Sequence, residues 1–171
     1  MRKVFKEIYP YIIIIISVLI IRKFIVTPIR VIGPSMMHTL IDGDIMILDK
    51  ISYRFKNIKR FDIVVISSLD KPIIKRVIGL PGDIVESKNN KLYINGEEIK
   101  EDYLDGDAIT SSFSVESISG VEKIPKGYYL VLGDNREESQ DSRAIGLIKR
   151  SQIDGKTSLT VFPFNRIGFK K

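Results

Sequence analysis

One segment constrains the chain before any other. Tyr11–Ile21 carries no charge, and nine of its residues are Ile, Leu or Val. A bilayer core needs about 20 apolar residues, and a run of 10–14 also fits the core of a signal peptide. The flanks lengthen the run: from Ile8 to Val26 the only charges are Arg22 and Lys23, near one end, where long basic side chains can reach the interface. At about 1.5 Å per residue such a helix reaches roughly 29 Å. Pro10 is expected in the first turn, and Pro28 to end the segment. A removed signal peptide needs a small-x-small cleavage site, and Arg22-Lys23-Phe24-Ile25-Val26 offers none. The expectation is an uncleaved anchor over residues 1–27 followed by one domain over 28–171. Arg2, Lys3, Lys6 and the α-amino group favour a cytoplasmic N-terminus, against the smaller pull of Arg22 and Lys23, so the domain is expected on the outer face of the cell membrane.

The charge distribution agrees with lipid as a partner. Residues 1–27 hold five basic side chains and Glu7 alone, whereas the rest of the chain holds 22 basic and 20 acidic residues. A nucleic-acid binder carries its basic excess on the folded domain, so no nucleic-acid partner is expected. The absence of cysteine excludes disulfides, zinc knuckles and thiol proteases. With His38 as the one histidine, a histidine-rich metal site is excluded, and any Ser-His-Asp triad would have to use that imidazole.

After Pro28 the pattern changes to short strands and turns. Alternating or β-branched runs occur at Ile29–Ile32, Asp44–Leu48, Phe61–Ser67, Ile73–Ile78, Ile84–Ser87, Lys91–Ile94, Tyr128–Leu132 and Thr157–Phe162. Turn signals such as Asp42-Gly43, Pro81-Gly82-Asp83 and Asn95-Gly96 separate them. The fold class is therefore mainly β: several small antiparallel sheets in a partly closed, barrel-like domain, with one N-terminal transmembrane helix. The polar stretch Asp102–Gly120 reads as a mobile loop or an insertion, and a helical turn is expected near Arg150–Ile153.

Three clusters can carry chemistry: Gly33–Leu40, Lys75–Asp83 and Gly133–Gly146. Taken singly, each reads as turn or surface residues. The second contains more. In a strand, Lys75 shares a face with Ile73 and Val77, and Arg76 shares the other with Ile74 and Ile78. Both faces are otherwise aliphatic, so at least one cation lies among apolar neighbours. A lysine there loses hydration and its pKa falls. To act as a base near neutrality it must fall from about 10.4 to roughly 7–8. Arginine does not deprotonate and needs a carboxylate, for which Asp134 is a candidate. A neutral lysine can take the proton of a serine hydroxyl, giving a Ser-Lys dyad without histidine.

Together the clusters resemble type I signal peptidases, membrane-bound serine proteases that remove signal peptides. Ser35-Met36-Met37-His38-Thr39-Leu40 resembles the family's serine box, Lys75-Arg76 followed by Gly79-Leu80-Pro81-Gly82-Asp83 its lysine box, and Gly133-Asp134-Asn135-Arg136 with Ser139, Asp141, Ser142 and Arg143 its third box. The short interval between the last two resembles the compact Gram-positive type. The resemblance implies Ser35 as nucleophile, Lys75 as general base, and Ser139 as the residue that orients the lysine amine. It further implies that Arg76–Asp134 and Asp141–Arg143 form structural ion pairs, and that the Ser35 backbone N–H forms part of the oxyanion hole. Some members have a serine two positions before the nucleophile; here Gly33 stands there, leaving the second donor unassigned. The usual proline three residues after the nucleophile is His38, read either as an assistant to the serine or as a turn substitution with no catalytic role. Met36 and Met37 read as packing residues.

The expected reaction is endoproteolysis by acyl transfer on preprotein signal peptides. The substrate is expected as an added strand beside Ile29–Ile32 and Pro72–Lys75, so Ile29, Val31, Ile32, Ile73 and Ile74 are the expected substrate-binding residues. The resemblance implies small pockets for Ala-x-Ala ends. Eight residues separate Ser35 from Thr27, at most roughly 27 Å, which keeps the site close to the bilayer. No cofactor and no metal are required. The alternatives are a self-cleaving repressor of the Ser-Lys kind, which would need a DNA-binding helix-turn-helix at the N-terminus, and a catalytically silent membrane-tethered β module, which would not need Ser35 and Lys75.

Overall fold

The computed structural model describes residues 2–67 and 71–170, the side chains from residue 6 onward. Its elements run α1 (Arg2–Phe24), β1 (Val26–Arg30), β2 (Ile45–Asp49), α2 (Ser52–Phe55), β3 (Ile63–Ile66), β4 (Ile73–Gly79), β5 (Val85–Lys88), β6 (Lys91–Ile94), β7 (Glu97–Ile99), β8 (Phe113–Ser114), α3 (Val115–Ser119), β9 (Tyr128–Leu132), α4 (Ser142–Ile145), β10 (Ile148–Lys149), β11 (Ile153–Phe162) and β12 (Gly168–Phe169). The fold is mainly β, in two antiparallel sheets. The larger runs β1-β2-β11-β3-β4-β9-β10 with β12 beside β11; the smaller runs β7-β6-β5-β8.

The larger sheet curls into a half-barrel because of β11. That strand pairs with β2 through Lys156–Phe162 and with β3 through Ile153–Lys156. Register breaks interrupt it between Ile153 and Gly155, Thr157 and Leu159, and Thr160 and Phe162. Each break bends the strand and increases its twist. Gly155 permits the tightest approach: a Cβ there would run into the Asp49 carbonyl.

The core falls into three clusters that meet at β3, β4 and β9. One holds Val64, Ile66, Val77, Val131 and Ile153. A second joins the two sheets through Ile78, Val85, Leu92, Ile94, Leu130 and Leu132. The third, Val31, Met36, Leu40, Met46 and Ile63, lies under the serine turn. From Lys75 to Gly79 every residue of β4 is buried, so both its faces are core, the two cations included.

Several expectations shift. Pro28 does not end the N-terminal segment; it sits inside β1. That is tolerated because β1 is an edge strand, where the missing N–H leaves no ladder bond unmade. Pro10 lies within α1, not in its first turn, because the helix begins upstream at Arg2. The stretch 102–120 holds β8 and α3, the latter with a capping box between Ser114 and Ser117, and buried side-chain contacts tie it to the domain. Its polar residues are used in hydrogen bonds to the rest of the domain. A 3₁₀ turn does occupy Arg150–Gln152.

Helix α1 continues almost directly into the sheet. Ile25 N–H donates to the Ile21 carbonyl at 2.8 Å and the Thr27 hydroxyl to the Arg22 carbonyl at 2.6 Å. These bonds satisfy carbonyls that a helix end otherwise leaves open. Residues 8–21 are its uncharged stretch, about 21 Å at 1.5 Å per residue, with Lys6 and Glu7 at one end and Arg22 and Lys23 at the other. Among the described residues no helix is long and apolar enough to cross a membrane. The isoleucines of α1 are nevertheless turned outward, Ile12 to Ile16 being 42–59% exposed.

Candidate active site

β4 brings two cations into the interior with opposite fates. Arg76 has no exposed side-chain surface and is held by Asp134 in a fork, Nε to Oδ1 at 2.8 Å and Nη2 to Oδ2 at 2.5 Å. Its Nη1 also donates to the Phe61 carbonyl at 3.2 Å, and Nη2 to Thr39 Oγ1 at 3.3 Å. Lys75, on the other face, is 2% exposed. Its Nζ lies 2.6 Å from Ser35 Oγ, with no carboxylate among the described residues in ion-pair contact. Burial pushes the ammonium down, Asp141 and Asp134 pull it back up, Arg143 opposes them, and the amine settles at about 8. An amine at that value is partly neutral at physiological pH and able to accept a proton.

Ser35 reaches Lys75 because β4 has an open edge there. Among the described residues β9 pairs with β4 only from Arg76 to Gly79, so the stretch before Arg76 has β3 on one side and no described strand on the other. The serine turn fills that vicinity. Asn135 N–H donates to the Ser35 carbonyl at 3.2 Å, tying the third box to the first. Gly133 is required by this closeness: a Cβ there would overlap the Ser35 carbonyl and Ser139 Oγ. Met36 and Leu40 anchor the turn from beneath, 1% and 0% exposed, while Met37 remains 40% exposed.

Asp141 holds the third box together. It caps α4, accepts the Gly133 N–H at 3.0 Å, and takes Arg143 in a fork at 2.9 and 2.8 Å. Burial works to raise its pKa, but the bonds from Arg143 and Gly133 outweigh this and hold the carboxyl below the usual range. Ser139 is placed differently from its implied role. Its Oγ is buried without a hydrogen bond of good geometry, to Lys75 or to any other described group. It sits close enough to Asp141 to help hold that carboxylate low.

His38 does not contact the serine. Its Nδ1 lies 2.5 Å from Asp105 Oδ2, both side chains about half exposed. The orienting carboxylate comes from a distant loop, which local spacing cannot reveal. His38 sits at φ 77°, a left-handed conformation that proline's ring forbids. Gly33 does not supply the second oxyanion donor through its backbone, because its N–H is bound to Asp42 Oδ1 at 2.8 Å.

Between the free edges of β1 and β4 lies a small cavity, about 70 Å³, lined by Arg30, Val31, Ile32, Ser35, Met36, Pro72, Ile73 and Ile74. Four of the five expected substrate-binding residues line it. Ile29 does not: it packs against the core cluster under the serine turn. Glu101, Tyr103 and Thr110 carry no local signal that would select them, because their buried contacts to the third box are formed across more than twenty residues of chain.

A mainly β domain that sets a half-buried serine hydroxyl against a buried lysine amine has the arrangement of a hydrolase site. The comparisons narrow the class. Residues 2–162 match the family model described as signal peptidase, peptidase S26, and the chain belongs to that family. It is 43% identical to signal peptidase IB of Staphylococcus aureus strain COL, covering 94% of this chain and 92% of the relative. Against signal peptidase I of Bacillus caldolyticus the identity is 40%, over 95% and 93% of the two chains. Among solved structures, a signal peptidase I from Enterococcus faecalis V583 matches with a TM-score of 0.54 and 37% identity, covering 59% of this chain and 97% of that one. The protein is accordingly an enzyme, a hydrolase of the signal peptidase I type.

Proposed function

We propose that this chain is a membrane-anchored endopeptidase that removes signal peptides from exported preproteins by a Ser35–Lys75 dyad. The observation that carries the reading is the 2.6 Å contact between Ser35 Oγ and a lysine amine brought to about 8 by burial. The neutral amine takes the Ser35 proton as Oγ attacks the scissile carbonyl. The Ser35 N–H receives the developing oxyanion. The lysine then gives its proton to the leaving amine, and in the second half takes one from the water that opens the acyl-enzyme. The substrate enters as a strand between the open edges of β1 and β4, its small side chains in the cavity of about 70 Å³ beside Ser35. The dyad needs no metal and no cofactor.

The membrane reading rests on α1 and on charge. Its apolar stretch of about 21 Å is shorter than a hydrocarbon core of about 30 Å, and snorkelling of Lys6, Arg22 and Lys23 with local thinning makes up the difference. The side chains of Arg2 and Lys3, which enter the orientation argument, lie outside the described ones. The N-terminus is cytoplasmic and the catalytic domain lies on the outer face.

The test is cleavage of a secretory preprotein by the full chain in detergent or lipid. Ser35→Ala and Lys75→Ala each lower turnover by about 10³-fold or more. Turnover by Lys75→Ala at the wild-type rate contradicts the dyad, and loss of turnover in His38→Ala alone requires a different base.

A further inference from the structure

Residues 100–112, which join β7 to β8, reach back onto the catalytic turns from the side opposite Lys75. Arg136 is the focus. Its side chain has no exposed surface, and its Nε donates to the Gly133 carbonyl at 3.1 Å. Both terminal nitrogens fork onto the Glu101 carboxylate, Nη1 at 3.0 Å. Nη1 also reaches Thr110 Oγ1 at 2.8 Å, and Nη2 reaches the Tyr103 hydroxyl at 3.2 Å. The Tyr103 hydroxyl donates in turn to Glu101 at 2.5 Å. The ring of Tyr103 covers the Arg76 guanidinium, 4.0 Å from its centroid, with Phe61 packed beside it at 5.4 Å. At the outer margin Asp105 meets His38 and Ser111 Oγ accepts from Arg143 at 3.3 Å.

Two arginines clasped by this segment, Arg136 and Arg76, are bonded to the candidate catalytic residues' own supports. Arg136 fixes Gly133, whose neighbour Asp134 holds Arg76 and whose Asn135 holds the Ser35 carbonyl. Arg76 is next to Lys75 on β4 and donates to Thr39 in the serine turn. We propose that Tyr103 and Glu101 are positioning residues for the peptidase reaction: they clamp the turn at residues 133–136 and the back of β4 and thereby set the Lys75 amine against the Ser35 hydroxyl. This rests on the Ser35–Lys75 reading. The clamp works because its bonds are charge-assisted, forked and shielded from water, so each resists displacement more than a surface pair does. Displacements of about 1 Å at reacting atoms can cost about 10² in rate, which gives a clamp behind the site its leverage.

Tyr103→Met removes the ring over Arg76 and both hydroxyl contacts while keeping apolar bulk. Preprotein cleavage by the full chain, followed against pH, is expected to show kcat lowered about 10-fold with KM within about 2-fold of wild type. The acid limb of kcat/KM moves upward, because a loosened β4 opens Lys75 to water at its unpaired edge. The charged groups around that amine, Asp141, Asp134 and Arg143, are unaltered in the variant. Tyr103→Phe keeps the ring and restores most of kcat and the position of the limb. If Tyr103→Met does not fold, Thr110→Val, which removes one acceptor of Arg136, is decisive instead: kcat falls about 3-fold with KM unchanged. A folded variant with lowered Tm but wild-type kcat and wild-type acid limb overturns the proposal and leaves the segment a stabilising element. Lys75→Ala measured alongside separates the two readings. An active Lys75→Ala defeats the dyad itself; an inactive one beside a wild-type-like Tyr103→Met defeats only the clamp.

Discussion

The two halves of the domain carry opposite charge. Residues 22–67 and 148–170, which build most of the larger sheet and adjoin α1, hold 13 basic and 5 acidic side chains; residues 82–147, with the smaller sheet and the clamp segment, hold 7 basic and 14 acidic. The near balance of the domain as a whole conceals this separation. The outer face of the larger sheet near α1 is also apolar. Val26, Ile47, Leu159 and Phe169 share a hollow there with Lys56, Lys59 and Lys156, and Phe162, Phe164 and Phe169 are exposed. The acidic half has its charge in rim residues and in carboxylates turned inward onto arginines. The contrast teaches that charge was sorted by role: cations and aromatics on the half next to the apolar helix, carboxylates where buried guanidinium groups need partners.

The sharpest way to break the comparison is at the buried pair. Asp134→Asn leaves Arg76 charged and without its carboxylate, both side chains being at most 1% exposed, and is expected to destabilise the protein by about 3–5 kcal/mol. Chemical denaturation reads this directly, and a loss under 1 kcal/mol contradicts the assigned burial.

Lys75 behaves in the opposite sense. Its amine is lowered from 10.5 to about 8 on folding, so the folded state binds fewer protons than the unfolded one between those values. Below about pH 8 the buried ammonium opposes folding in full, and the penalty fades as pH rises toward 10.5. Lys75→Met is expected to be inactive yet more stable by about 1–3 kcal/mol at pH 7, the gain shrinking above pH 8. A gain that grows with pH reverses the sign of the argument.

Reversing charge on the basic half comes next in size. Lys56→Glu with Lys59→Glu is expected to weaken association of the detergent-extracted chain with anionic vesicles by about 30-fold, on the order of 1 kcal/mol per lysine lost near the surface. Association with zwitterionic vesicles stays unchanged. The same charge reversal at Lys88 and Lys91, on the acidic half, leaves vesicle association where it was. At the small end, breaking the exposed Lys91–Glu98 pair, 54% and 50% exposed, leaves Tm unmoved within error, since such pairs contribute little.

How much was legible depended on the range of the signal. The strands Lys91–Ile94 and Tyr128–Leu132 stand where alternation put them, because period-2 patterning is local. The burial of both faces of β4 followed from aliphatic residues around two cations, and so did the contrast between a forked arginine and a depressed lysine. The short strands β7, β8, β10 and β12 were not legible: two or three residues carry no period, and pairing alone makes them strands. The buried contacts of Glu101, Tyr103 and Thr110 were invisible for a related reason. In sequence they are residues of a polar loop; only an arginine folded in from position 136 gives them partners. The Asp105 that meets His38 was hidden in the same way.

By itself, the order of residues determined an apolar N-terminal helix, a β-rich domain and a lysine condemned to a dry strand, because hydrophobic periodicity and the cost of dehydrating a cation act over a few neighbouring positions. The 2.6 Å meeting of amine and hydroxyl, the Ser139 hydroxyl set beside Asp141 and the arginine clasped from a far loop were decided only when the sheet curled and its loops converged, since distances between groups remote along the chain are set by packing and not by any local pattern.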